Sequence, residues 1–100
     1  MLDWHLYLVR CHDGSLYTGI TTNVARRFVE HQENYDAGAK YLRGRGPLKL
    51  VFQKKLGSRS LALSVESKVK KLSKARKEEL IRTNTRINEI IKQISSQLAV

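Results

Sequence analysis

Five side chains stand out for the chemistry their types allow: Tyr7, Tyr17, Arg27, His31 and Glu66. Tyr7 and Tyr17 lie ten residues apart in two apolar runs of strand length, and Thr18 and Gly19 follow the second. Arg27 comes ten residues after Tyr17 and His31 four after that, which places them one helical turn apart on a shared face. A guanidinium stays charged and grips an oxyanion with two parallel donors. An imidazole titrates near neutrality, so His31 can relay a proton or orient a tyrosine hydroxyl. A phenol near pKa ~10 is a weak base at neutral pH unless a cation lowers it. Taken one at a time these residues are ordinary. A strand tyrosine usually belongs to the core, an Arg and a His at i, i+4 to a solvated face, and a lone helix Glu to the surface. Lys70, at i+4, offers Glu66 a simple salt bridge.

Charge sharpens the picture. The chain of 100 residues carries 19 Lys and Arg against 9 Asp and Glu, a net charge of +10. Between Lys40 and Lys77 there are thirteen basic residues and one acid, Glu66. Such a stretch fits a polyanion, because neutralised phosphates release counterions and yield salt-sensitive affinity. Lys40, Arg43, Arg45, Lys68, Lys70, Lys71, Lys74, Arg76 and Lys77 are the expected phosphate contacts. Tyr41, set among them, is expected either to stack on an exposed base or to join the core. A membrane surface fits less well, since the basic stretch lacks exposed aromatic anchors on an amphipathic face, and no apolar run reaches the ~18–20 residues of a bilayer span. The first residues, Met1 to His5, lack the pattern of a signal peptide, and the single Cys11 cannot form an internal disulfide. A cytoplasmic setting is the expectation. Cys11 reads as a buried thiol, without an acyl-transfer motif that would pair it with His12 or His31. His5, His12 and His31 lack the spacing of a zinc site.

The elements that must position these residues follow from the pattern. His5–Arg10 and Leu16–Thr18 read as strands around the turn His12-Asp13-Gly14-Ser15, a β-hairpin. Gly19 either lets the backbone leave the sheet or lets another group approach it. Thr21, Thr22 or Asn23 caps a helix to about Asn34, with Val24, Phe28 and Gln32 along one side. Residues 36–47 form a basic loop, and Leu48–Lys54 a third strand. Ser58 or Ser60 caps a helix whose stripe is Ala62, Val65, Val69 and Leu72, with Glu66 at the stripe's edge. Ser73 caps a short helix from Lys74 to Arg82. A last helix, Asn84–Leu98, carries Ile87, Ile90, Ile91, Ile94 and Leu98 on one face, as cover for the core or for a partner. The expected fold is α+β: a small three-stranded antiparallel sheet flanked by helices, with an extra amphipathic helix at the C-terminal end.

The combination resembles the GIY-YIG nuclease domain. His5-Leu6-Tyr7 stands at the first motif and Tyr17-Thr18-Gly19 at the second; the tyrosines and the final glycine are kept, and the other motif letters differ. The segment Leu16 to Phe28 with His31 is the most specific match, and Lys40–Gly44 and Ser60–Glu66 continue it. The likeness is strongest to the small single-domain bacterial members, the YhbQ-like proteins. It implies a nuclease-like domain over residues 1–82, with 83–100 a helix packing on that domain or on a partner. It further implies hydrolysis of phosphodiester bonds in DNA, in repair or processing, by Tyr7, Tyr17, Arg27, His31 and Glu66. Glu66 becomes the ligand of one Mg2+ or Mn2+ ion, the remaining positions falling to waters and phosphate. Arg27 rather than Arg26, which points about 100° away, grips the phosphate. One tyrosine is the base for the attacking water or its orienter; the sequence does not say which. With no appended reading module, selectivity for branched, flapped or damaged shapes is expected over a long base sequence. RNA remains open as a partner, and the chain is expected as a monomer or weak homodimer. The rival expectation is a non-catalytic nucleic-acid-binding module, DNA- or ribosome-associated, that keeps the fold and the basic surface.

Overall fold

Four consecutive residues of one strand, Leu6, Tyr7, Leu8 and Val9, are each at most 1% exposed. A strand with one wet face would alternate, so this one is covered on both sides. The structure, a computed structural model, describes residues 2–33 and 40–98. Its elements are β1 (Trp4–Arg10), β2 (Leu16–Thr21), α1 (Val24–Glu33), β3 (Lys49–Gly57), α2 (Arg59–Lys70), α3 (Lys74–Arg82) and α4 (Asn84–Leu98), with a single 3-10 turn at Lys40–Leu42. The strands form one antiparallel sheet in the order β2-β1-β3, so the doubly covered strand is the central one. This is the α+β class the sequence predicts.

Two apolar clusters account for the two faces. Leu6, Leu8 and Leu16 pack with Val65 and Val69 of α2, Leu80 of α3, and Ile87, Ile90 and Ile94 of α4. Tyr7 and Val9 pack with Cys11, Val24 and Leu42, and against Tyr17, Phe28, Leu48 and Leu50. Each fully buried aliphatic side chain contributes roughly 1.5–3 kcal/mol, so both layers fix β1 firmly. The isoleucine face of α4 covers the core, while Leu98 at its end is half exposed. Among the described residues no helix is long and apolar enough to cross a membrane.

The local signals hold at the caps. Asn23 accepts from the Arg26 N–H (3.0 Å), Ser58 from that of Leu61 (3.1 Å) and Ser73 from that of Arg76 (3.2 Å). In the hairpin turn Gly14 takes φ +86°, a left-handed conformation that suits glycine. Three boundaries need correction. β2 does not stop at Thr18 but continues through Gly19 to Thr21, because the ladder with β1 runs on to His5. β3 spans Lys49–Gly57 rather than Leu48–Lys54, since Lys55 and Gly57 still pair with His5 and Trp4. On α1 the inward residues are Val24, Phe28 and His31, and Gln32 is exposed; seven residues complete nearly two turns, eight overshoot by most of a right angle. The expected end of α1 at Asn34 and the loop residues 36–39 lie outside the described residues.

One polar clamp ties the hairpin to the helical layer. Nη1 and Nη2 of Arg10 each donate to a carboxylate oxygen of Glu78 in α3, both at 2.6 Å. The bonds from Arg10 hold the Glu78 carboxyl below the usual range. Stabilisation from that shift is complete above the ordinary carboxylate pKa and is lost as pH falls through the lower folded value. Both side chains are 31% exposed, so solvent screening limits the contribution. Glu78→Gln is expected to lower stability by about 1 kcal/mol at pH 7. Denaturant midpoints of the two proteins should converge as the pH is taken below 4, roughly the ordinary carboxylate value.

Candidate active site

The β1–β2 register sets Gly19 directly opposite Tyr7, and Tyr17 opposite Val9. Tyr7 and Tyr17 are therefore diagonal neighbours on one face of the sheet, with ring centroids 6.3 Å apart. The ring of Tyr7 lies across Gly19. A Cβ at that position would stand 2.5 Å from the tyrosine oxygen and 2.6 Å from Cζ, closer than atoms can approach. Of the two readings the sequence allows for Gly19, close approach is the one realised. The strand continues, and the glycine is a seat for the ring.

α1 brings its inward residue to the same place. His31 is 9% exposed, and its Nε2 lies 2.7 Å from the Tyr7 hydroxyl oxygen. The His31 ring also meets Tyr17 edge-on, with centroids 5.6 Å apart. Arg27, one turn earlier, directs its guanidinium to the Tyr7 hydroxyl and to Glu30, the latter at 3.2 Å. Arg27 can only donate, so Tyr7 accepts from it; the direction of the bond between the Tyr7 hydroxyl and Nε2 follows the tautomer of His31. Burial first, then the Arg27 charge, push the His31 pKa down to about 4. That corrects the expectation of a histidine titrating near neutrality: burial disfavours the imidazolium, and the ring is neutral at pH 7. Burial also raises the Tyr7 pKa, reinforced by Tyr17 and Glu66 and opposed by Arg27.

Glu66 comes from α2, and its charge is felt at Tyr7. Its side chain is 18% exposed, and Oε2 pairs with Lys70 Nζ at 3.4 Å. The helix-surface pairing that competes for this acid is thus present, yet it leaves the carboxylate beside the tyrosines. Among the described residues no three His, Cys, Asp or Glu gather to cage a metal, and Cys11 is free and buried. A lone carboxylate such as Glu66 could hold a hard divalent cation, with waters and substrate phosphate completing the shell.

The basic residues divide. Lys70 and Lys77 line a groove of about 350 Å³ with Leu16, Tyr17, Thr18 and Tyr41. Lys40 and Arg43 are exposed on the 3-10 turn and just after it, and Lys74 and Arg76 are exposed on α3. Lys68 and Lys71 line a separate groove between α2 and α4 with Leu63, Ile94 and Leu98. Tyr41 is not a core residue. It is 44% exposed, its ring stacks on Tyr17 with centroids 5.9 Å apart, and the Arg45 guanidinium lies 4.3 Å from its centre. The sequence reading missed Glu30, Asp13 and Thr18. Glu30 has a local signal, three residues after Arg27. Asp13 holds Arg45 at 3.2 Å across 32 positions, with no local signal. Thr18 is 2% exposed and its hydroxyl has no hydrogen-bond partner.

Comparison with known proteins identifies the family of the domain. Residues 3–79 match the GIY-YIG catalytic domain. A UPF0213 protein of Cronobacter sakazakii is 57% identical over 81 residues, covering 81% of this chain and 83% of the relative. The UPF0213 protein YhbQ of Salmonella arizonae is 53% identical over 81 residues, covering 81% and 79%. Among solved structures, the UPF0213 protein of Bacillus halodurans shares 44% identity at a TM-score of 0.52, and a protein of E. faecalis 35% at 0.57. Each comparison covers 80% of this chain and 83% of the other.

Two measurements test the cluster. An NMR titration of His31 should give a midpoint about 4, and the neutral ring should add stability that is full above the ordinary histidine pKa of ~6.5 and lost as pH falls toward 4. His31→Gln should flatten that stretch of the stability profile. Gly19→Ala is expected to displace the Tyr7 ring from its seat, destabilising the chain by about 1–3 kcal/mol, and to alter the Tyr7 and His31 ring resonances together.

Proposed function

The chain belongs to the GIY-YIG catalytic-domain family, and on that premise we propose that it is a metal-dependent DNA endonuclease that selects by backbone shape. The observation that carries the reading is the buried Tyr7–His31 hydrogen bond at 2.7 Å, flanked by Tyr17, Arg27 and Glu66. A non-catalytic binder needs cations on its surface and has no use for a phenol wired to a neutral imidazole in the core.

Each residue takes a role its surroundings support. Tyr7 is the general base, since it alone of the two tyrosines bonds to His31. As the attacking water bonds to phosphorus it gives a proton to the Tyr7 oxygen, whose own proton moves to His31 Nε2, so no phenolate need persist; the P–O bond to the departing sugar oxygen breaks, and that oxygen takes a proton from solvent. The neutral state of His31 keeps that lone pair available. Tyr17, beside both rings, orients the water. Arg27 donates to the phosphate oxygens, and its bond to Glu30 keeps the guanidinium plane in place. Glu66 is the ligand for one Mg2+ or Mn2+, which supplies charge neutralisation at the phosphate. Lys70 and Lys77 carry the backbone of the substrate along the groove beside Tyr17. These contacts reach phosphates rather than base edges, which suits branched or flapped DNA better than a long sequence.

The test is a panel of single-stranded, duplex, flap and four-way junction DNAs, with RNA, assayed with and without Mg2+ or Mn2+. Metal-dependent cutting is expected. Glu66→Ala should abolish it while DNA binding persists, and Tyr7→Phe should slow it about 10²–10⁴-fold. Salt-sensitive binding with no cutting of any substrate would sink the enzymatic reading in favour of a binding module.

A further inference from the structure

Rings pack around Tyr17 beyond its own strand. His31 meets it edge-on, and Tyr41 lies nearly parallel to it, 27° between planes. Tyr41, however, sits on a single 3-10 turn in which Leu42 is the buried side chain. So short a turn does not fix an aromatic ring by itself. Two contacts fasten the segment to the β1–β2 turn, and a third holds the ring within it. The His12 N–H donates to the Arg45 carbonyl at 3.0 Å, the Arg45 guanidinium donates to Asp13 Oδ2 at 3.2 Å, and the same guanidinium lies over the Tyr41 ring.

We propose that Asp13 and Arg45 form a latch that presses Tyr41 onto Tyr17, making both positioning residues for the Tyr17 hydroxyl. The chain of contact is continuous: carboxylate to guanidinium, guanidinium to Tyr41, Tyr41 to Tyr17. The inference rests on the nuclease reading for its catalytic consequence alone. It gives Arg45 a different role from its basic neighbours, whose part is to meet phosphate. It also assigns work to an exposed acid on an otherwise basic protein. The two oxygens of Asp13 divide the task. Oδ1 accepts from the N–H and hydroxyl of Ser15, at 3.0 and 2.6 Å, and sets the turn, while Oδ2 takes Arg45. Asparagine can keep the first function and not the second, because its amide would face the guanidinium with a donor. Asp13→Asn therefore opens the latch and leaves the turn.

The sign of the effect separates a latch from a simple phosphate contact. Removing a negative charge near a polyanion strengthens binding, whereas opening the latch lowers turnover. Wild type, Asp13→Asn, Asp13→Glu and Arg45→Ala are to be compared for kcat and KM on a fluorescein-labelled flap duplex in Mg2+. Tyrosine ring resonances are to be recorded by NMR without DNA. Asp13→Asn is expected to shift the Tyr17 and Tyr41 resonances and to lower kcat about tenfold, with KM unchanged or lower. Arg45→Ala should share the loss in kcat, and Asp13→Glu should restore both readouts. Unmoved Tyr17 and Tyr41 resonances in Asp13→Asn, or an Arg45→Ala defect confined to KM, overturn the latch. If the wild type cuts no DNA the nuclease reading falls, and the resonances alone decide whether the latch exists.

Discussion

A hydroxyl buried in the middle of a sheet must find partners inside the protein, and that requirement organises the site around Tyr7. Tyr7 is 1% exposed, so its resting hydroxyl depends on partners inside the protein. Its needs are met by His31 and Arg27, both from α1, which ties the orientation of that helix to the chemistry of one atom. The inward face of α1 is accordingly the one that carries His31. Losing the imidazole would take from the buried hydroxyl one of its two partners, a cost of about 1–3 kcal/mol before any activity is measured.

The same burial sets the electrostatics. Water exclusion drives His31 toward its neutral form and Tyr7 toward its protonated form, so the resting pair is uncharged although Arg27 and Glu66 stand close by. Charge is instead kept at the periphery, where Lys70 and Lys77 line the groove. On the nuclease reading, attraction of a polyanion and proton movement thereby fall to different layers of the molecule. Long-range attraction weakens with salt, while the inner pair is screened far less.

Much of this could be read from the chain. Caps such as Ser58 and Ser73, the isoleucine stripe of α4 and the hairpin turn are written in local spacing, and they fall where that spacing puts them. The resemblance to GIY-YIG nucleases singled out all five central residues. What the sequence could not carry was long-range placement. Nothing local extends β2 past Gly19 or β3 to Gly57, because the cause is pairing with β1. Nothing local says that Tyr41 will meet Tyr17, or that Lys68 and Lys71 will face a different groove from Lys70. The neutrality of His31 was out of reach for a similar reason: a pKa follows from burial, and burial of that side of α1 is decided by the sheet beneath it.

The glycine under Tyr7 has a consequence for anyone seeking to improve this protein. Glycine inside a strand costs about 0.5–1 kcal/mol against residues that favour extended backbone. A redesign scored on folding alone would therefore select position 19 early and fill it. The gain is cancelled locally by the ring it evicts, and a variant that recovered the loss by shrinking Tyr7 would be sturdier and, on the nuclease reading, chemically mute. Positions 7 and 19 behave as one decision, and robustness beyond that point has to be sought elsewhere in the chain.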